Sequence, residues 1–406
     1  MRTWLPVPAD SPFGIANLPY GAVEWPGHER PKVAVPVGDA VLDLAGALER
    51  IDGDLAFLVR GPSLDHLLGA GPEAWAALRA TLIHLLTDER HRPVVEPALL
   101  PRDDVRPVLP FTVADYVDFY ASEQHARNLG RILRPDSPAL PPSWKHLPIG
   151  YHGRAGTVAV SGTDVVRPCG QRKPPDADAP TYGPSRRLDF EAEIGFVVGM
   201  PSTLGTPVPT RAWRQHVFGV VLVNDWSARD LQAWEAQPLG PFQGKSFLTS
   251  VSPWIVPLAA LEDALVEPPA QDPRPLDYLL PRGPGLDLDV EVRLNGHVVS
   301  RPPAAALYWT PAQQLAHLTA NGASLRTGDL FASGTVSGAE PDQRGSLIEL
   351  TWNGTQPLTL PDGTTRGFLD DGDAVSISAT APGQGGTLLG FGEVTGTVLP
   401  ARRPQT

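Results

Sequence analysis

Apolar residues in this chain recur mainly with a period of two, in short runs broken by turn residues, so the pattern predicts many short β-strands and few helices. Residues 31–45, RPKVAVPVGDAVLDL, form two β-rich runs around Gly38-Asp39 and predict a hairpin. Six later runs read as strands: GTVAVSG, DFEAEIGFVVG, HVFGVVLVN, LDLDVEVRLNG, LIELTW and AVSISA. Helical spacing appears between Ser63 and Asp88, where Leu67, Leu68, Trp75, Leu78, Leu82, Leu85 and Leu86 share a face interrupted at Gly69 to Pro72, which predicts two short helices. TPAQQLAHLTANG predicts another helix, with Thr310 as N-cap, Pro311 at the first helical position and Asn321-Gly322 as its stop. HRPVVEPALLPRDDVRPVLP, residues 91–110, carries five prolines and no regular period, so it reads as an ordered connector that ends a first domain near residue 110. The class expected is mostly β with some α.

Composition sharpens this picture. At 406 residues the chain exceeds the size at which a single core usually stops growing, which favours two domains, 1–110 and 111–406. The formal charge of -12 argues against nucleic acid or an anionic membrane as partner, and requires a local cationic pocket for any anionic substrate. Cys169 is the only cysteine, so neither an intrachain disulfide nor a cysteine-based zinc or iron–sulfur site can form. The opening MRTWLPVPADSPFG has no apolar targeting core, and the apolar run VFGVVLV is too short to span a bilayer, so a cytoplasmic location is expected.

Candidate chemistry begins in DFEAEIGFVVG. On a strand, Asp189, Glu191 and Glu193 lie on one face, opposite Phe190, Ala192, Ile194, Phe196 and Val198. Neighbouring carboxylates raise one another's pKa unless a cation or donors compensate, but taken alone the pattern equally describes a solvated strand face. HVFGVVLVNDWSARD ends an almost unbroken apolar run at Asp225, placing that residue at a sheet edge, although taken alone Asp225 reads better as the cap of a following helix, since Ser227 and Asp230 have capping-box spacing. DFYASEQHARNLGRILR adds Asp118 and, seven residues on, His125. All-oxygen ligation suits Mg²⁺ or Ca²⁺, which leaves His125 for proton transfer.

The ordered set DFYASEQHARNLGRILR, WKHLPIGYHGRAGTV, RLDFEAEIGFVVG, VNDWSARDLQAWE, PLGPFQGKSF, QDPRPLDYL and ASGTVSGAEP resembles the fumarylacetoacetase family across residues 111–400. The resemblance implies a small SH3-like barrel domain at the N-terminus, followed by a mixed β-roll/β-sandwich catalytic domain. It implies hydrolysis of the carbon–carbon bond of 4-fumarylacetoacetate to fumarate and acetoacetate, in tyrosine and phenylalanine breakdown, by a homodimer. Its implied metal ligands are Asp118, Glu191, Glu193 and Asp225, with Lys245 and Thr249 nearby, and its proton acceptor is His125 oriented by Glu349. Substrate contacts fall on Tyr120, Arg134, Tyr151, Gln232 and Thr335. Arg229 and Gln232, three apart in SARDLQ, share a face if that segment is helical and, with Lys245, form the expected oxyanion donors.

One position departs from the family pattern: QAWEA places Ala236 where a tyrosine is usual, so a substrate contact is lost or replaced. GPFQGKS has three residues between its glycines, not the four of a P-loop, and GFGEVTG is one residue too long for a dinucleotide fingerprint. The rival readings are an acylpyruvate hydrolase, an oxaloacetate decarboxylase, or a metal-stabilised binding protein without catalysis. The paired His125 and Glu349 argue against the last.

Overall fold

The computed structural model describes residues 3–8 and 10–402; the first two residues of the opening segment and its Ala9 lie outside them. A 13-stranded sheet runs Leu99–Pro101, Ala40–Asp43, Lys32–Val37, Tyr20–Glu24, Trp254–Pro257, Val217–Asn224, Ala192–Val198, Leu330–Ala332, Tyr116–Phe119 and Gly150–His152, with three further strands attached off that path. A five-stranded sheet contains His297–Ser300, Asp289–Leu294, Ala374–Gly383, Thr387–Leu399 and Val165–Val166. The molecule is thus mixed α/β and mostly β, with open sheets.

The central strands are apolar on both faces because each face meets a different layer. Ile194, Phe196, Val220 and Leu222 pack with Val290, Val292, Ile377 and Val394 of the five-stranded sheet. The alternate residues Val197, Val221 and Val223 pack with Leu78, Leu82 and Leu85 of the helix Pro72–Thr87. Burial on both sides explains the unbroken run VFGVVLV better than any one-sided amphipathic pattern.

Turn and cap chemistry carries several expectations through. Lys32–Val37 and Ala40–Asp43 form the hairpin, with Gly38 at φ 60°. Helices Asp65–Ala70 and Pro72–Thr87 flank Gly71, and Pro311–Thr319 starts at a complete Thr310–Gln313 capping box. The proline-rich connector is ordered, but it also supplies two sheet strands, Leu99–Pro101 and Arg106–Val108.

Three expectations are corrected. Among the described residues no closed barrel forms at the N-terminus: one edge of Tyr20–Glu24 takes Lys32–Val37, and the other is divided between Arg106–Val108 and Trp254–Pro257. The strands therefore open into the central sheet instead of closing on themselves. LIELTW is not a strand: Leu347–Leu350 is a helical turn, because the Asp189 carboxylate accepts the Leu347 and Ile348 amides at 2.7 and 3.1 Å. DFEAEIGFVVG also breaks, into Leu188–Asp189 and Ala192–Val198, with Glu191 bridged to Ser346 between them.

Gly130, in the helix Glu123–Leu133, lies where an added Cβ would overlap the carbonyl oxygen of Ala139. Gly130→Ala should therefore lower stability by about 1–3 kcal/mol, the usual cost of overpacking. It should also lower activity, because this helix carries His125. Thermal melting checks the first effect; an unchanged melting temperature would show that the Ala139 backbone yields freely.

Candidate active site

Carboxylates carried on or just beyond three strands of the central sheet converge on one buried floor. Asp118 lies in Tyr116–Phe119, which pairs in parallel with Leu330–Ala332; that strand pairs with Ala192–Val198, which holds Glu193. On the far side of Ala192–Val198, the strand Val217–Asn224 ends one residue before Asp225. One carboxylate oxygen from each of Asp118, Glu193 and Asp225 lies within 4.8 Å of the others, and all three side chains are buried.

The floor is unevenly supplied with donors. Asp225 accepts from Thr249 Oγ1 at 2.8 Å, Tyr151 OH at 2.9 Å and Lys245 Nζ at 2.6 Å, so it does not act as a helix cap. Among the described residues, Asp118 Oδ1 and both oxygens of Glu193 have no hydrogen-bond partner. Burial, reinforced by the charges of Asp225 and Glu191, raises Asp118 well above the usual carboxylate range. Glu193 is raised in the same way, by burial first and then by Asp118 and Asp225.

Glu191, expected as a fourth ligand on the same face, is in a different electrostatic position. Its Oε1 accepts from Arg229 Nη2 at 2.7 Å, and its Oε2 accepts from Ser227 Oγ at 3.1 Å and from Lys245 Nζ. Burial pushes Glu191 up, but Arg229 and Lys245 outweigh it and hold the group below its ordinary range. Arg229 is equally committed: its Nε donates to Asp189 at 2.8 Å, leaving Nη1 directed at Gln232 Oε1 at 3.4 Å. The helix Arg229–Glu235 does place Arg229 and Gln232 together, but most of the guanidinium is spent clamping carboxylates.

His125 sits beside this floor in the first turn of Glu123–Leu133, where Ser122 caps the helix by accepting the His125 amide at 3.3 Å. Its Nδ1 is 2.6 Å from Glu349 Oε2. Glu349 is fully buried and accepts also from Asn128 Nδ2 at 2.9 Å, Ser337 Oγ at 3.0 Å and Ser346 Oγ at 2.6 Å. Burial raises Glu349, but His125, Ser346 and Asn128 together bring it below the usual range. An ionised Glu349 favours the tautomer of His125 that donates from Nδ1, and Nε2 then faces the site, 3.8 Å from Glu191 Oε1.

Tyr120 meets the His125 ring edge-on, with centroids 5.3 Å apart. Thr335 is buried with its hydroxyl unpartnered among the described residues, whereas Arg134 is exposed at the far end of the His125 helix. Ala236 ends the helix Arg229–Glu235 and is half-buried. A cleft of about 140 Å³, lined by Tyr151, Arg154, Asp225, Phe242, Lys245 and Thr249 among others, reaches the Asp225 side of the floor; His125 does not line it. Sequence reasoning missed Asn128, Ser337 and Ser346 around Glu349. Of these only Asn128 carried a signal, lying three residues after His125 and so on the same helix face.

The architecture defines the class of protein. A solved structure of fumarylacetoacetate hydrolase from the psychrophilic Exiguobacterium antarcticum shares this fold, with TM-score 0.57 and 18% identity over 95% of this chain and 100% of that one. The model for the C-terminal domain of fumarylacetoacetate hydrolase matches residues 115–399, and that for the N-terminal domain of fumarylacetoacetase matches residues 16–110. Fumarylacetoacetase of Homo sapiens is 45% identical over 418 residues, covering 99% of this chain and 100% of its own. That of Arabidopsis thaliana is 44% identical over 424 residues, covering 99% of each. The chain belongs to the fumarylacetoacetase family and is a hydrolase.

Proposed function

We propose that this protein cleaves the carbon–carbon bond of 4-fumarylacetoacetate with water, giving fumarate and acetoacetate, and that it does so with a divalent cation at the carboxylate floor. The observation that carries the reading is the juxtaposition of the His125–Glu349 pair, 2.6 Å apart, with the carboxylate group of Asp118, Glu193 and Asp225. The residues fit a hard cation: the ligand atoms are all oxygen, and three carboxylate oxygens on Asp118 and Glu193 are buried without donors. Asp118, Glu193 and Asp225 would hold Mg²⁺ or Ca²⁺, with Glu191 beside them and Lys245 and Thr249 supporting Asp225 and Glu191. When bound, the cation supplies Lewis acidity and a template for the oxygens of the diketo acid.

The protein's own groups then divide the work. Glu349 fixes the tautomer and orientation of His125, and Nε2 takes a proton from water as the water oxygen bonds to the carbonyl carbon on the fumaryl side. The bond between that carbon and its neighbour breaks, its electron pair leaves on the acetoacetate fragment, and the protonated His125 returns the proton. Lys245 and Gln232, with the remaining Arg229 N–H, stabilise the oxyanion. Tyr120, Tyr151, Gln232, Thr335 and the exposed Arg134 contact the anionic substrate. The same reading includes a leading domain of residues 1–110, a catalytic domain of 111–406, and a cytoplasmic homodimer. The net charge of -12 supports a small-molecule partner over nucleic acid or membrane, and among the described residues no helix is long and apolar enough to cross a bilayer.

The test is disappearance of fumarylacetoacetate followed before and after chelation. Turnover should be lost with the chelator and return with Mg²⁺ or Ca²⁺. No turnover with either ion would reassign the substrate to another acylpyruvate-like acid.

A further inference from the structure

Outside the carboxylate floor, the end of the helix Pro72–Thr87 gathers three metal-competent side chains to which the proposed reaction assigns no role. His84 lies in the last turn, Asp88 is the C-cap, and His91 closes the 3-10 turn Glu89–His91. Their spacing of four and then three residues would place them on one face of a continuous helix, and the tightened turn keeps them together. The backbone fixes this arrangement, since Asp88 N donates to His84 O and His91 N donates to Asp88 O, each at 3.0 Å.

The two imidazoles face each other through Nε2, 3.1 Å apart, with ring centroids at 4.8 Å. One ligand atom from each of His84, Asp88 and His91 lies within 4.8 Å of the others. Two lone pairs cannot oppose each other at that separation without a proton or a cation between them. Two zinc–imidazole bonds of about 2.0–2.1 Å at a tetrahedral angle hold their nitrogens roughly 3.3 Å apart, close to what is seen.

We propose that His84, Asp88 and His91 form a second metal site, selective for a borderline divalent cation such as Zn²⁺. Two imidazole nitrogens and one carboxylate oxygen favour Zn²⁺, Ni²⁺ or Cu²⁺ over Mg²⁺ or Ca²⁺, so the chain carries two sites of opposite preference. The site needs no cysteine. Asp88 is now bound by Arg90, with Nη2 to Oδ2 at 2.6 Å and Nε at 3.0 Å, but the Arg90 side chain is 85% exposed and can turn into solvent. Three protein ligands leave a coordination position for water.

The bound ion ties the helix end to the segment that continues into the strands Leu99–Pro101 and Arg106–Val108. This corner is also where Thr3 Oγ1 and Trp4 Nε1 donate to the carbonyls of Leu86 and Leu85, at 2.5 and 2.9 Å. An ion that binds only the folded corner stabilises it by mass action, so the role assigned is structural.

Zinc uptake by equilibrium dialysis against ZnCl₂, in excess Mg²⁺, tests the site on the full-length protein. Wild type should retain roughly one zinc per chain more than His84→Asn/His91→Asn, and Asp88→Asn should weaken zinc binding about 10-fold or more. ZnCl₂ should raise the melting temperature of wild type and leave the double variant unmoved. Fumarylacetoacetate turnover in Mg²⁺ should be the same in all three proteins, which also shows that the variants fold. Equal zinc uptake by wild type and the double variant, or an equal zinc-induced shift in melting temperature, would reduce the cluster to an imidazole–imidazole hydrogen bond and overturn the proposal.

Discussion

His125→Ala should lower turnover of fumarylacetoacetate by about 10²–10⁴-fold, the range for removal of a positioned general base, while metal content stays at the wild-type level. The imidazole is 3.8 Å from Glu191 and bonds Glu349 directly, but its nitrogens are not among the three oxygens that converge on the floor. Substrate binding should change less than turnover, since alanine removes no carboxylate ligand. Some stability should also go: Glu349 remains fully buried and loses one of its four donors, while Asn128, Ser337 and Ser346 stay. Glu349→Gln separates the two effects. It preserves volume, but its amide can present N–H to Nδ1 and favour the tautomer whose Nε2 carries the proton. Undiminished turnover in His125→Ala would remove this residue from the mechanism.

What could be read from the sequence was what short-range chemistry decides. Gly38-Asp39 fixes a hairpin, and Thr310 and Pro311 fix a helix start, because the turn between Val37 and Ala40 and the cap of Thr310 on Gln313 each close within four residues. The carboxylates were legible as residue types on alternating positions, and the motif order attached roles to them. What stayed hidden depended on partners distant in sequence. LIEL alternates well enough for a strand and becomes a helical turn because Asp189, 158 residues earlier, accepts the Leu347 amide. The N-terminal strands stay open because Trp254–Pro257 takes part of an edge. Glu191 and Glu193 are equivalent in the pattern E-x-E, and Arg229, Lys245 and Ser227 distinguish them: one carboxylate is neutralised by cations and hydrogen-bonded, and the other is left, among the described residues, without a donor.

That distinction makes Glu193→Gln the variant whose effects should have opposite signs. With Mg²⁺ present it should bind metal weakly and turn over little substrate, because one of three converging carboxylates becomes a neutral amide. With metal removed it should be more stable than wild type near neutral pH. In the metal-free fold, burial and the neighbouring Asp118 and Asp225 raise Glu193, so the unfolded chain gives up the proton first. A carboxylate shifted upward by folding leaves stability intact below its unfolded pKa, and stability falls as pH rises from there toward the folded value. Each pH unit in that window costs about 1.4 kcal/mol per proton. Glutamine does not titrate, so chelated Glu193→Gln should melt above chelated wild type at neutral pH, and the gap should narrow on acidification. Added Mg²⁺ should reverse the order, because wild type alone gains the binding free energy. A chelated variant that melts below chelated wild type at neutral pH would mean that Glu193 is held by something other than the cation its position implies. The predicted crossover ties the instability of the bare floor to its affinity for the ion, since the same unpartnered oxygens produce both.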